Sequence, residues 1–91
     1  MEAFILSNSQ KNRTTVDIYE QQYIIVGTES PRHIRLVAAL VNDKMEEISS
    51  KNPALDVNKL AVLTAVNAVN DYLKIKDQLE RLLAELQKEK D

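Results

Sequence analysis

The stretch LAVLTAVNAVNDYLKIKDQLERLLAEL, residues 60–86, is one uninterrupted helical pattern whose apolar stripe changes width partway along. Between Leu60 and Leu73 the residues Leu60, Ala61, Val62, Leu63, Ala65, Val66, Ala68, Val69, Tyr72 and Leu73 leave little polar surface. That breadth predicts a stretch buried on most sides. Further on, Ile75, Leu79, Leu82 and Leu86 follow in steps of four, three and four, with only Leu83 widening the line. Such spacing is the seam that one helix offers to another. Asp56 stands where an N-cap belongs, so the helix is expected to run from there to the end of the chain. Its length is then roughly 50 Å at about 1.5 Å per residue, more than a small domain is wide. The far end must meet a partner or stay exposed.

Working back from Asp56, Asn52-Pro53 stops a preceding helix, because proline disfavours a helical conformation in the residue before it. That helix starts at Ser30-Pro31, a side-chain cap followed by a residue preset for the first turn. Over 31–51 its apolar residues Ile34, Val37, Ala38, Val41, Met45 and Ile48 recur at helical spacing, and Asp43, Lys44, Glu46, Glu47 and Lys51 fill the polar side. Upstream, the β-branched runs Thr14-Thr15-Val16-Asp17-Ile18-Tyr19 and Tyr23-Ile24-Ile25-Val26-Gly27 flank the polar turn Glu20-Gln21-Gln22, which predicts a hairpin over 14–27. Val16 and Ile18 share its dry face, while Thr15, Asp17 and Tyr19 share the wet one. Residues 1–12 show neither period and read as a disordered lead. The expected fold is therefore α+β: a head over 13–73, built from the hairpin, the first helix and residues 57–73 of the long helix, with a coiled-coil extension over 74–91. A lone hairpin is marginal in water, so it must lie on a helix or pair across a dimer.

Composition removes most chemistry. The 91 residues contain no cysteine, one histidine and one glycine, which leaves no disulfide framework, thiol nucleophile, cysteine metal site or glycine-rich phosphate loop. His33 stands in a first helical turn beside Arg32 and Arg35, without a base, nucleophile or second ligand to work with. Glu46 and Glu47 point about 100° apart on a helix and make a solvated face, not a paired acid and base. No catalytic residue, metal site or cofactor is expected. A net charge of -2 gives no general attraction to nucleic acid or anionic lipid. The apolar cluster Phe4-Ile5-Leu6 is too short for a signal-peptide core or a membrane span, so a soluble protein that is not secreted by this route and needs no membrane is expected.

Two polar features stand apart. Asn67 lies among Val66, Ala68 and Val69, where an unpaired buried amide costs about 1–3 kcal/mol. It is expected to be a structural polar core residue, hydrogen-bonded to backbone or to a neighbouring helix and fixing register. Lys11, Arg13, Arg32, His33 and Arg35 form either a scattered solvated surface or a small basic patch where the hairpin meets the first helix. A patch of that kind suits a dimeric adaptor for an acidic protein or a nucleic acid, although no aromatic side chains are interleaved with the charges for base stacking.

Thr15-Val16-Asp17-Ile18-Tyr19, Tyr23-Ile24-Ile25-Val26-Gly27, Ser30-Pro31 with Ile34-Arg35 and Val37-Ala38-Ala39, Val41-Asn42-Asp43-Lys44-Met45, and Lys59-Leu60-Ala61-Val62-Leu63 with Ala65-Val66-Asn67 together resemble the ZapA family of bacterial cell-division proteins, in its short-tailed form. The resemblance covers nearly everything after Asn12. It implies a non-enzymatic cytoplasmic protein at the mid-cell division site that forms homodimers through its head and can build tetramers through its coiled coil. It also implies binding to the tubulin-like division protein FtsZ and bundling of its filaments by multivalent cross-linking. The self-association seam is then expected at Tyr72, Ile75, Leu79, Leu82 and Leu86, and the FtsZ contact on the head around Arg13, Gln21, Gln22, Lys51, Asn58 and Lys59. At the hairpin turn the chain departs from the family: a common glycine is replaced by Glu20, and the basic turn residues of longer-tailed members are missing.

Overall fold

Alternation in the β-branched runs sets one face of a sheet against a helix. In this computed structural model, which describes residues 3–6 and 12–90, β2 (Asn12–Ile18) and β3 (Gln21–Gly27) pair antiparallel from Asn12↔Gly27 to Ile18↔Gln21. Thr14 and Val16 are buried and Ile18 half-buried, while Arg13, Thr15 and Asp17 on the other face are exposed. The lead expected to be disordered over 1–12 contains a further strand, β1 (Ala3–Ile5), parallel to β3, and Asn12 already belongs to β2. The sheet is thus three-stranded, in the order β1-β3-β2. Three residues are too few to show a period, and their hydrogen-bond partners come from an edge that is distant in sequence. Residues 1–2 and 7–11, also part of that expected lead, lie outside the described residues.

The turn is also shorter than expected. Gln21 and Gln22 already belong to β3, and only Tyr19 and Glu20 connect the strands, with φ of 50° and 66°. Positive φ at both central residues of a two-residue hairpin loop is the type I′ arrangement that matches strand twist, and it normally selects Asn-Gly or Asp-Gly. Tertiary contacts hold it here: the Tyr19 N–H donates to Asn42 Oδ1 at 2.7 Å, and the Tyr19 hydroxyl lies 3.1 Å from Ser49 Oγ. Tyr19, expected on the wet face, therefore curls back onto the first helix and is half-buried.

That helix, α1 (Pro31–Lys51), starts where Ser30 Oγ accepts the His33 N–H at 3.1 Å and Pro31 occupies the first turn. It ends at Asn52, whose N–H donates to the Ser49 carbonyl at 3.1 Å and whose side chain donates to the Ile48 carbonyl at 2.9 Å. Ile34, Ala38, Met45 and Ile48 are buried and Val41 half-buried, a stripe with steps of four, three, four and three. Val37, expected in that stripe, is exposed, because it is turned about 100° from Ala38 around the helix. Val16, Ile34 and Ala38 form one core cluster; Met45, Ile48 and Leu60 form a second, and Ile18 packs against both.

The long helix α2 (Val57–Lys90) begins where Asp56 Oδ1 accepts the Lys59 N–H at 2.8 Å. Leu60 enters the core at 2% exposure, and one turn later buried Thr64 donates its hydroxyl to the Leu60 carbonyl at 2.8 Å. The remainder of the broad stripe does not follow them in. Val62, Val66, Val69 and Leu73 are all exposed, Val66 by 59%, because within its own chain only one side of α2 is covered. A Lys44–Asp71 ion pair at 3.6 Å joins the two helices, and from Tyr72 to Glu89 every side chain is exposed. The radius of gyration, 17.1 Å, exceeds the about 12 Å of a compact chain of this length.

Two positions carry removable strain or desolvation. Glu20→Gly relieves a left-handed conformation and is expected to raise stability by about 1 kcal/mol. The buried Thr14 hydroxyl has no hydrogen-bond partner among the described residues, so Thr14→Val is expected to stabilise by about 1 kcal/mol. Urea midpoints at one fixed protein concentration check both; a lowered midpoint contradicts the respective assignment.

Candidate interaction surfaces

Apolar side chains that their own chain leaves uncovered define one surface. Twelve large apolar side chains of α2 are exposed, from Val57 to Leu86, against Leu60 as its one buried counterpart. On α1, Leu36, Val37 and Leu40 are exposed as well. Val37 and Leu40 meet Ala68, Tyr72 and Ile75 along a groove between the two helices, with Lys44 and Asp71 at its side. Contiguous apolar surface of this extent marks an interaction site on a soluble protein. Leu36 and Leu40 were not singled out from the sequence, although with Val37 they form a second apolar line beside the core stripe.

Beyond Tyr72 the same surface narrows. Ile75, Leu79, Leu82 and Leu86 are exposed at seam spacing, Leu79 by 54%, and Leu83 flanks them. An Asp77–Arg81 ion pair at 3.0 Å lies one turn apart on the helix surface, with the acid N-terminal to the base, as the helix dipole favours. Asn67 is half-buried, and its side chain makes no hydrogen bond among the described residues. The partner expected for its amide is therefore not found among the described residues.

The polar head residues singled out from the sequence fall in several places. Gln21 and Asn58 line one groove between the hairpin and the first turns of α2, together with Ile18, Tyr23, Val57 and Ala61. Asn58 and Lys59 border a second, apolar depression with Leu55, Val62 and Leu63. Gln22 pairs with Asp17, which puts it on the opposite face of the sheet from Gln21. Arg13 pairs with Val26 at the far end of the hairpin from its turn. Lys51 is exposed at the end of α1, 3.6 Å from Glu47. The structure thus places Gln21, Asn58 and Lys59 on adjoining grooves, and Arg13, Gln22 and Lys51 outside them.

The basic residues do not merge into a pure patch. Asn12 donates to the carbonyls of Thr28 and Glu29, at 3.4 and 2.9 Å, which ties the start of β2 to the entrance of α1 and brings Arg13 to that end. Acidic groups intervene: His33 faces Glu29 at 4.0 Å, and Arg35 lines a shallow depression with Asp17. Lys11 lies outside the described residues. Among the described residues, no helix is long and apolar enough to cross a membrane.

Comparison with known proteins matches residues 14–91 to the family described as Cell division protein ZapA. The Cell division protein ZapA of Geobacillus sp. (strain WCH70) is 65% identical over 86 residues, covering 94% of this chain and 99% of that protein. Its counterpart in Bacillus subtilis (strain 168) is 58% identical over 86 residues, covering 94% of this chain and all of that protein, 100%. Among solved structures, a ZapA mutant dimer from Geobacillus stearothermophilus superposes with a TM-score of 0.69 at 56% identity, over 90% of this chain and 95% of that one.

Proposed function

The chain belongs to the family of the cell division protein ZapA, and on that premise we propose that it is a non-enzymatic cytoplasmic protein that cross-links FtsZ filaments at the mid-cell division site. The observation that carries this reading is the imbalance on α2, with twelve large apolar side chains exposed and one buried. Burying apolar surface is worth about 25 cal/mol per Å², so a second copy is the natural cover for such a helix. The solved relative, a dimer, supports the same assembly.

In the proposed homodimer the broad half of α2 and the Leu36–Leu40 side of α1 face their equivalents in a second copy. Tyr72, Ile75, Leu79, Leu82 and Leu86 continue the contact as a coiled coil, and pairing of two dimers along it gives a tetramer. Asn67 becomes enclosed, and its amide finds its partner across the interface, which fixes register at some cost in stability. Val66 is an interface residue in this arrangement, not part of a core that the chain completes alone.

The filament contact lies on the head. Gln21, Asn58 and Lys59 form its centre, since they share adjoining grooves, while Lys51, Gln22 and Arg13 lie outside those grooves. Symmetry repeats this surface in every copy, so one assembly holds two filaments and gains avidity without a new kind of contact. No reacting group is required.

Two measurements test the proposal. Leu79→Glu and Leu82→Glu are expected to lower the mass seen by light scattering while leaving the head's circular dichroism intact; unchanged mass removes the narrow seam from the interface. In sedimentation of FtsZ polymers, the unaltered protein is expected to co-pellet and to bundle filaments under the electron microscope. Asn58→Glu with Lys59→Glu is expected to cut co-pelleting at least tenfold at unchanged oligomeric mass. Absence of both co-pelleting and bundles for the unaltered chain rejects FtsZ cross-linking.

A further inference from the structure

β1 precedes the matched segment 14–91, and neither core cluster includes it. It runs parallel to β3 in the register Ala3↔Ile24, Phe4↔Ile25 and Ile5↔Val26, and the Leu6 N–H donates to the Val26 carbonyl at 2.7 Å. The Phe4 ring lies on Tyr23, with centroids 5.6 Å apart and planes tilted by 58°. Yet its side chains stay partly in solvent: Phe4 is 44% exposed and Ile5 62%. Backbone hydrogen bonds and one aromatic contact hold this strand, with little burial to add.

The edge beneath it has a different character. From Tyr23 to Val26 β3 is uncharged and apolar on both faces, with Tyr23, Ile24 and Ile25 half-buried and Val26 buried. An uncovered edge of this kind is a template for strand addition, in which main-chain hydrogen bonds supply affinity and alternate side chains supply specificity. Beside Phe4, Tyr23, Ile25, Val57 and Ala61 wall an open groove that reaches the first turns of α2.

We propose that the outer edge of β3 is a docking site for an extended apolar segment entering parallel to the strand, and that residues 3–6 of this chain are its resident occupant. The N-terminal segment is a tethered strand that closes the site in cis. A competing protein segment must offer an aromatic residue at the Phe4 position, over Tyr23, with aliphatic residues following, and it enters only when β1 leaves. This goes beyond filament cross-linking and does not depend on it.

The test uses the chain with residues 2–6 deleted and a labelled peptide of residues 1–7, followed by fluorescence anisotropy. Saturable binding to the shortened chain is expected, at least tenfold weaker binding to the full chain, and at least tenfold weaker binding of the peptide carrying Phe4→Asp. A shortened chain that keeps its circular dichroism but binds no peptide overturns the proposal, as does equal binding to both chains. Loss of the fold on deletion also overturns it, since β1 is then an integral strand. Because the sequence has no cysteine, Ala3→Cys with Ile24→Cys gives an independent reading in the full chain. Oxidation is expected to yield a single-chain species on a non-reducing gel that no longer takes up peptide, whereas a cross-linked pair of chains contradicts closure in cis. FtsZ sedimentation is read separately, so failure here leaves the cross-linking proposal standing.

Discussion

One side of one helix joins the two halves of the molecule. Leu60 closes the cluster with Met45 and Ile48, and it is the sole large apolar side chain that α2 buries within its own chain. Asp56 and Thr64 support that anchor from either side, the first by capping the helix and the second by satisfying its buried hydroxyl on the Leu60 carbonyl. Further along, the half-exposed Lys44–Asp71 pair also ties α2 to α1 before the helix leaves the head. An exposed ion pair adds little stability, so the orientation of α2 rests on apolar contact near its start.

This economy follows from size. A chain of 91 residues that commits 34 of them to one helix has few left to surround it. α1 shields a single side of α2, and the sheet packs on the same apolar stripe of α1, where Ile18 and Tyr19 join Leu60 against Met45 and Ile48. An apolar stripe remains exposed along α2, broad beside the head and narrow beyond it. The same scarcity thus produces both a small stable unit and a surface that requires company, which is the physical basis for the proposed multivalent assembly.

The hairpin shows a related dependence. Its two-residue turn places non-glycine residues at positive φ, and the contacts of Tyr19 with Asn42 and Ser49 hold it against α1. The turn is consequently part of the head's packing instead of a free tip. Gln21, the first residue after it, is carried to the groove beside Asn58, while the next residue, Gln22, is sent to the opposite face by strand alternation.

Sequence by itself determined what local chemistry controls. Ser30-Pro31 and Asp56 cap their helices because a side-chain oxygen reaches an amide three residues on, and Asn52-Pro53 separates the helices because proline cannot continue one. The apolar stripes on α1 and α2 were legible from their spacing, as was the pairing of two β-branched runs. Tertiary structure alone decided which parts of those stripes are covered. Periodicity shows that Val66 and Leu73 lie on an apolar face, but only the position of α1 shows that their own chain does not reach them. It also decided the third strand and the tight turn, because Ala3–Ile5 and Tyr19-Glu20 are stabilised by partners some twenty residues or more away, at Ile24–Val26, Asn42 and Ser49. Of the candidate site, residue types were readable in advance; that Gln21, Asn58 and Lys59 converge while Arg13 stands apart follows from strand register and helix phase, which no single segment contains.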